Sequence, residues 1–144
     1  MIWVLDASVA VRWFLKDESH PNADAVLQRL IDVPQSFAVP ELFSFEVYAV
    51  LCRVHPSGHT AFVEGIIPVL SGGILRQPMT KGLATQARLF VEKGMTGYDA
   101  CYAALASEMK GTWLTFDRQA HGILSGQGIS HDLTMALPRG WSRA

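Results

Sequence analysis

The run Ile2-Trp3-Val4-Leu5 is short and wholly apolar, and it stops at a carboxylate, Asp6. A continuous apolar run of this length reads as a strand buried on both faces, the condition of a parallel sheet covered by helices. Ala7-Ser8 and a helical stretch from Val9 to Leu15 follow at once. The strand therefore passes straight into a helix, and an acid at that junction points into the crevice where open α/β sheets bind ligands. The arrangement recurs at Trp113-Leu114-Thr115-Phe116, which ends at Asp117 before a helix beginning at Arg118.

Strands are expected at 2–6, 37–39, 73–76, 112–116 and 131–134. Helices are expected at 8–15, 21–31, 41–54, 58–70, 79–93, 98–109 and 118–125. Alternation of this kind implies an α/β fold with a central parallel sheet of four or five short strands flanked by helices. The 144 residues suit one domain, 1–144, and 49% apolar residues are ample for a single core; no linker, repeat or low-complexity tract divides the chain.

Two further acids stand in apolar or small-residue surroundings. Glu46 lies within Leu42-Phe43-Ser44-Phe45-Glu46-Val47-Tyr48-Ala49-Val50-Leu51, a helix apolar on nearly every side. Burying an ionised carboxylate alone is very costly, so a partner is expected. No Lys or Arg lies three or four residues away to supply it along the helix. Glu64 and Glu108 lack such partners too and read as solvated surface acids; the apolar neighbourhood of Glu46, not the missing partner, is the difference. Asp99 opens Tyr98-Asp99-Ala100-Cys101-Tyr102-Ala103-Ala104-Leu105-Ala106, where small side chains let a ligand approach the helix. Each acid also has a plainer use: Thr96 with Asp99 fits a capping box, Asp117 an N-cap, and Asp6 with Ser8 a strand-to-helix turn. A shared divalent cation is the simplest reason for all of them together. Mg²⁺ takes oxygen ligands and keeps several waters, so a few carboxylates suffice without Cys or His.

The segments Val4-Leu5-Asp6-Ala7-Ser8-Val9-Ala10-Val11, Pro40-Glu41-Leu42 with Glu46-Val47, Tyr98 to Ala106, and Thr115-Phe116-Asp117-Arg118 occur in the order and spacing of the PIN-domain nucleases. More narrowly, the chain resembles the VapC-type ribonuclease toxins of prokaryotic toxin–antitoxin pairs, from Met1 to about Leu133. The resemblance implies a three-layer fold with the acids at the C-terminal edge of the sheet. It also implies a metal-dependent endoribonuclease using Mg²⁺ or Mn²⁺, with Asp6 and Asp99 as central ligands and Glu46 binding directly or through water. Asp117 would be a more peripheral acid. Ser8 and Thr115 match small hydroxyl positions expected to hydrogen-bond metal-bound water or a neighbouring carboxylate. A homodimer is implied, as is a small antitoxin whose C-terminal segment covers the acidic rim and inserts a basic side chain.

The net charge of −1 and pI near 6.5 exclude a general basic surface of the kind many nucleic-acid proteins carry. Attraction to RNA must then be local: Arg12 and Lys16, one helical turn apart, and Arg118 beside Asp117 are the candidates for phosphate contact, with ordinary solvated charge as the alternative. Arg139 and Arg143 could extend that reach from the tail. Trp3 and Trp113 read as core, and Trp141 as the tryptophan with a claim to exposure. Cys52 and Cys101 read as buried, reduced thiols. His20, His55, His59, His121 and His131 have no zinc-site spacing, though His121 stands four residues after Asp117. No apolar stretch approaches the ~20 residues of a membrane span, and no basic segment precedes the first apolar run, so cytoplasmic residence is the expectation.

Three competing readings remain open on the sequence. A phosphohydrolase of another α/β family would want a second Asp two residues after Asp6 or a Gly-rich phosphate loop, and neither is present. A catalytically inactive PIN-like interaction module would not need every acid. An RNA-processing nuclease outside a toxin–antitoxin pair would share the chemistry.

Overall fold

The computed structural model describes residues 1–141. It contains strands β1 (Trp3–Leu5), β2 (Phe37–Pro40), β3 (Leu75–Gln77), β4 (Thr112–Thr115) and β5 (Ser130–Asp132). Its helices are α1 (Ala7–Ala10), α2 (Pro21–Asp32), α3 (Leu42–Val54), α4 (Gly58–Ala61), α5 (Ile67–Leu70), α6 (Lys81–Glu92), α7 (Gly97–Glu108) and α8 (Arg118–Ile123). The five strands form one sheet in the order β3-β2-β1-β4-β5, and every pairing is parallel. The expected α/β architecture is therefore the observed one.

Strand order follows from burial. Trp3, Val4 and Leu5 are buried without alternation, as a central strand covered on both faces must be. β3, at an edge, has two exposed residues of its three. From β1 the chain runs outward through β2 to β3, then returns to add β4 and β5 on the other side. Right-handed crossovers bring the earlier and later connecting helices to opposite faces. β1 and β4 are thus neighbours whose following helices diverge, and the gap beyond their C-terminal ends is the switch-point crevice of such sheets.

α7 is the central helix. Ala100 through Ala106 are all buried, and the helix packs against α6 as well as β1, β2 and β4. Its small side chains permit that approach from both sides. α6 ends in a turn where Gly94, at φ +102°, follows Lys93, and Met95 N–H donates back to Phe90 O at 3.2 Å. A positive φ of this kind is the reason for glycine after a helix.

Several boundaries differ from expectation. The helix expected at 8–15 ends at Ala10 and gives way to a 3₁₀ turn, Val11–Trp13, and a separate one at Lys16–Glu18. Arg12 and Lys16 are consequently not one helical turn apart. The helix expected at 58–70 is interrupted by a π turn, Phe62–Ile66, just ahead of Pro68, whose missing N–H cannot continue the α pattern. The strand expected at 73–76 begins only at Leu75, after Gly73 turns the chain at φ +120°. Cys52 is exposed, not buried, because it lies on the outer side of α3; Cys101 is buried. Trp141 does not stand free. Its ring lies 5.1 Å from Trp3, with the Arg29 guanidinium 4.1 Å from the Trp141 centroid.

Candidate active site

β1 and β4 run in parallel register, Trp3 opposite Thr112 and Leu5 opposite Leu114, so Asp6 and Asp117 emerge at the same sheet edge. Asp6 is the N-cap of α1, and its carboxylate accepts from Ser8 N–H at 2.9 Å. Ser8 Oγ–H also donates to Oδ1. Oδ2 accepts from Thr115 Oγ1 at 2.6 Å and from Trp113 Nε1 at 3.0 Å. Four donors thus converge on this carboxylate and fix its orientation. The two hydroxyls are themselves oriented: Ser8 Oγ accepts from Phe116 N–H at 3.1 Å, and Thr115 Oγ1 from Asp117 N–H at 3.0 Å. Their protons therefore point to Asp6, and the carboxylate is tied to the turn after β4.

Asp6 is buried, and that desolvation is the main reason its pKa rises to about 6, with the nearby Asp99 charge adding to it against the Ser8 and Thr115 hydrogen bonds. Glu46, half-buried in the first half of α3, is also raised by burial first and then by Asp99; its Oε1 accepts from Tyr102 OH at 2.6 Å. Asp99, in the first turn of α7, is raised by burial and by Asp117. Asp99 is thus the acid whose charge bears on both Asp6 and Glu46, and it is itself raised by Asp117. The capping uses hold as well. Thr96 caps α7 by accepting from Asp99 N–H at 3.1 Å, and the exposed Asp117 caps α8 by accepting from Ala120 N–H at 3.0 Å.

None of these acids is ion-paired among the described residues. Among the described residues the ion pairs are Arg88 with Glu92 and Arg118 with Asp132. Nor do three His, Cys, Asp or Glu side chains there gather into a direct three-ligand group. Mg²⁺ is commonly held by only one or two carboxylates plus waters. An all-oxygen set of mutually repelling carboxylates without a counter-charge fits that requirement.

The proposed phosphate contacts are distributed differently. Arg12 is partly built into the fold: its guanidinium lies 4.2 Å from the centroid of Phe116, the residue before Asp117, and Nη1 donates to Glu18 O at 3.1 Å. Lys16 is exposed, and Arg118 pairs at 3.6 Å with Asp132 while its side chain is 72% exposed. Arg139 is exposed, and Arg143 lies outside the described residues. His121 hydrogen-bonds Ser130 Oγ at 2.7 Å through Nδ1 instead of supporting Asp117. Tyr102 and Trp113 are the residues that sequence reasoning passed over. Tyr102 sits in the Asp99 segment, three positions on, which was the available signal.

The sequence matches the family profile described as PIN domain over residues 3–123. No curated protein matches the chain. Among solved structures, FitAcB from Neisseria gonorrhoeae is similar with a TM-score of 0.71 at 16% identity, covering 92% of this chain and 98% of that one. VapC20 from Mycobacterium tuberculosis, described as a sarcin-ricin loop cleaving toxin, has a TM-score of 0.64 at 18% identity, covering 83% and 93%. VapBC2 from Rickettsia felis, bound to a DNA fragment from its promoter, has a TM-score of 0.64 at 13% identity, covering 92% and 98%. At these identities the likeness is one of fold.

Proposed function

The chain belongs to the PIN-domain family, and from that premise we propose that it is a metal-dependent endoribonuclease, the toxin of a toxin–antitoxin pair, hydrolysing RNA phosphodiester bonds with Mg²⁺ or Mn²⁺. The observation that carries the reading is the mutual charge repulsion linking Asp6, Glu46 and Asp117 to Asp99, with Asp6 and Asp117 at the ends of neighbouring strands and none of the four ion-paired among the described residues. Asp6 and Asp99 would hold the ion, Glu46 would bind directly or through water, and Asp117 would act at the periphery.

A divalent ion there supplies activation of the attacking water and charge stabilisation at the phosphoryl group. The chain's own residues do the rest. Ser8 and Thr115 hold Asp6 in one orientation, and Tyr102 holds Glu46. Arg12, restrained by Phe116 and Glu18, is the best-placed phosphate contact; Lys16 and Arg118 are freer. A cleft of about 180 Å³ lined by residues including Pro40, Phe45, Gln77, Met79 and Cys101 opens at the C-terminal ends of β2 and β3, with room for an unstacked base. The rim's uncompensated acids also suit an antitoxin that inserts a basic side chain among them. The fold shared with complexes such as VapBC2 supports an antitoxin partner; the homodimer rests on the family resemblance alone.

Cleavage of transfer and ribosomal RNA fragments by purified protein tests the reading. Discrete cuts with Mg²⁺ or Mn²⁺, lost with chelator and in Asp6→Asn or Asp99→Asn, are expected, with a smaller loss in Asp117→Asn. Retained cutting in a clean, folded Asp6→Asn preparation would sink the assignment. A folded, antitoxin-free protein that neither cuts RNA nor binds metal would be an inactive interaction module.

A further inference from the structure

We propose that Tyr102 and Trp113 form a single positioning unit, a stacked aromatic pair that sets the separation of Glu46 from Asp6 and thereby the affinity of the site for its divalent ion. The proposal rests on the metal-dependent reading above. The two rings are nearly parallel, 11° apart in plane with centroids 5.8 Å from one another. Both side chains are buried, Tyr102 at 1% and Trp113 at 0% exposure. Each carries one polar hydrogen, and each delivers it to a different acid of the site: Tyr102 OH to Glu46 Oε1 at 2.6 Å, Trp113 Nε1–H to Asp6 Oδ2 at 3.0 Å.

The connection spans α3, α7, β4 and β1, joining two acids that have no hydrogen bond to each other. Two carboxylates in partly desolvated surroundings repel, and a helix side chain as long as Glu46 has rotamers that would carry it away from Asp6. Indole nitrogen is a donor only, so Trp113 fixes one end without ambiguity. Tyr102, an aromatic with few torsions stacked in offset against that indole, fixes the other. Phe side chains at 102 and 113 would keep much of the apolar packing but reach neither acid. Packing alone therefore does not account for the pairing of a buried hydroxyl and a buried indole N–H with these particular carboxylates.

Titration calorimetry with Mn²⁺ on the full chain, together with electron paramagnetic resonance of the bound ion, reads the effect apart from activity. Tyr102→Phe removes one oxygen and keeps the stack. It should weaken Mn²⁺ binding about tenfold or more, the scale of losses when groups supporting a metal ligand are removed. Saturating Mn²⁺ should then restore cleavage, which a damaged fold would not allow. Trp113→Phe should weaken binding similarly, and the double variant should lose less than the product of the single losses, because either change releases the same spacer. Wild-type affinity in folded Tyr102→Phe, or losses that multiply independently, would overturn the proposal. Failure of the wild-type protein to bind Mn²⁺ at all would instead overturn the metal-dependent reading and the proposal with it.

Discussion

Asp6 carries most of the site's internal tension. It is buried with hydrogen bonds on both oxygens, and still its pKa rises to about 6 because desolvation and Asp99 outweigh the donors. The sign for stability follows from linkage: the native state keeps a proton that the unfolded chain, titrating near 3.8, has given up. Stability of the metal-free protein should therefore fall as pH rises from about 4 to above 6, by on the order of 3 kcal/mol from this residue. Burial of Glu46 and Asp99 acts in the same direction. Urea unfolding in chelator at pH 5 and pH 7.5 checks this; greater stability at the higher pH would contradict it. Thr115 joins Asp6 to the backbone of Asp117, so Thr115→Val should cost about 1–3 kcal/mol, the penalty for stranding buried polar groups, and should reduce cleavage. Equal stability and activity in the variant would show that the hydroxyl is dispensable. The acids were legible in the sequence because each interrupts a local apolar pattern. Their donors were not, since Trp113 lies 107 residues from Asp6 and Tyr102 lies 56 from Glu46.

At the scale of elements, α7 links stability to the site, because its first turn carries Asp99 and its interior carries Tyr102. Thr96 caps it. Thr96→Ala should lower stability by about 1 kcal/mol, as cap deletions do, and weaken metal binding through the freed first turn. Thr80→Ala, removing the equivalent cap of α6, should cost similar stability and leave metal binding intact. Equal metal affinities in the two variants would argue against a coupling of the α7 cap to the site. The far end of α7 is less well matched. Lys110 sits at φ 52°, where Gly111 N–H closes the turn on Ala106 O at 2.9 Å, whereas α6 uses Gly94 in the corresponding place. A non-glycine residue in the left-handed region costs roughly 1–2 kcal/mol. Lys110→Gly should consequently raise the melting temperature, after allowance for the added freedom of the unfolded chain. The sequence placed α6 and α7 to within a residue or two through their apolar spacing and glycine stops. It overextended the helix at 8–15, because the 3₁₀ turns after Ala10 depend on how the chain packs with α2 and α3.

Across the whole molecule, binding of Mn²⁺ to the native state should raise stability by about 2.7 kcal/mol at a hundredfold excess over Kd. A thermal shift that grows with Mn²⁺ and is absent in Asp6→Asn is the expected outcome. With a net charge of −1, few phosphates can be neutralised, and binding of RNA should show a shallow salt dependence. No helix of the described residues is long and apolar enough to cross a membrane. Length, apolar runs and strand–acid–helix junctions determined the α/β class and the acids' place at one sheet edge, since a strand end and the helix after it are specified within a few neighbouring residues. Tertiary structure alone decided that Tyr102 and Trp113 reach Glu46 and Asp6, that Cys52 faces outward, and that Trp141 folds back on Trp3. These outcomes depend on which side chains from distant segments compete for the same space and the same hydrogen-bonding partners, and local sequence carries no record of that competition.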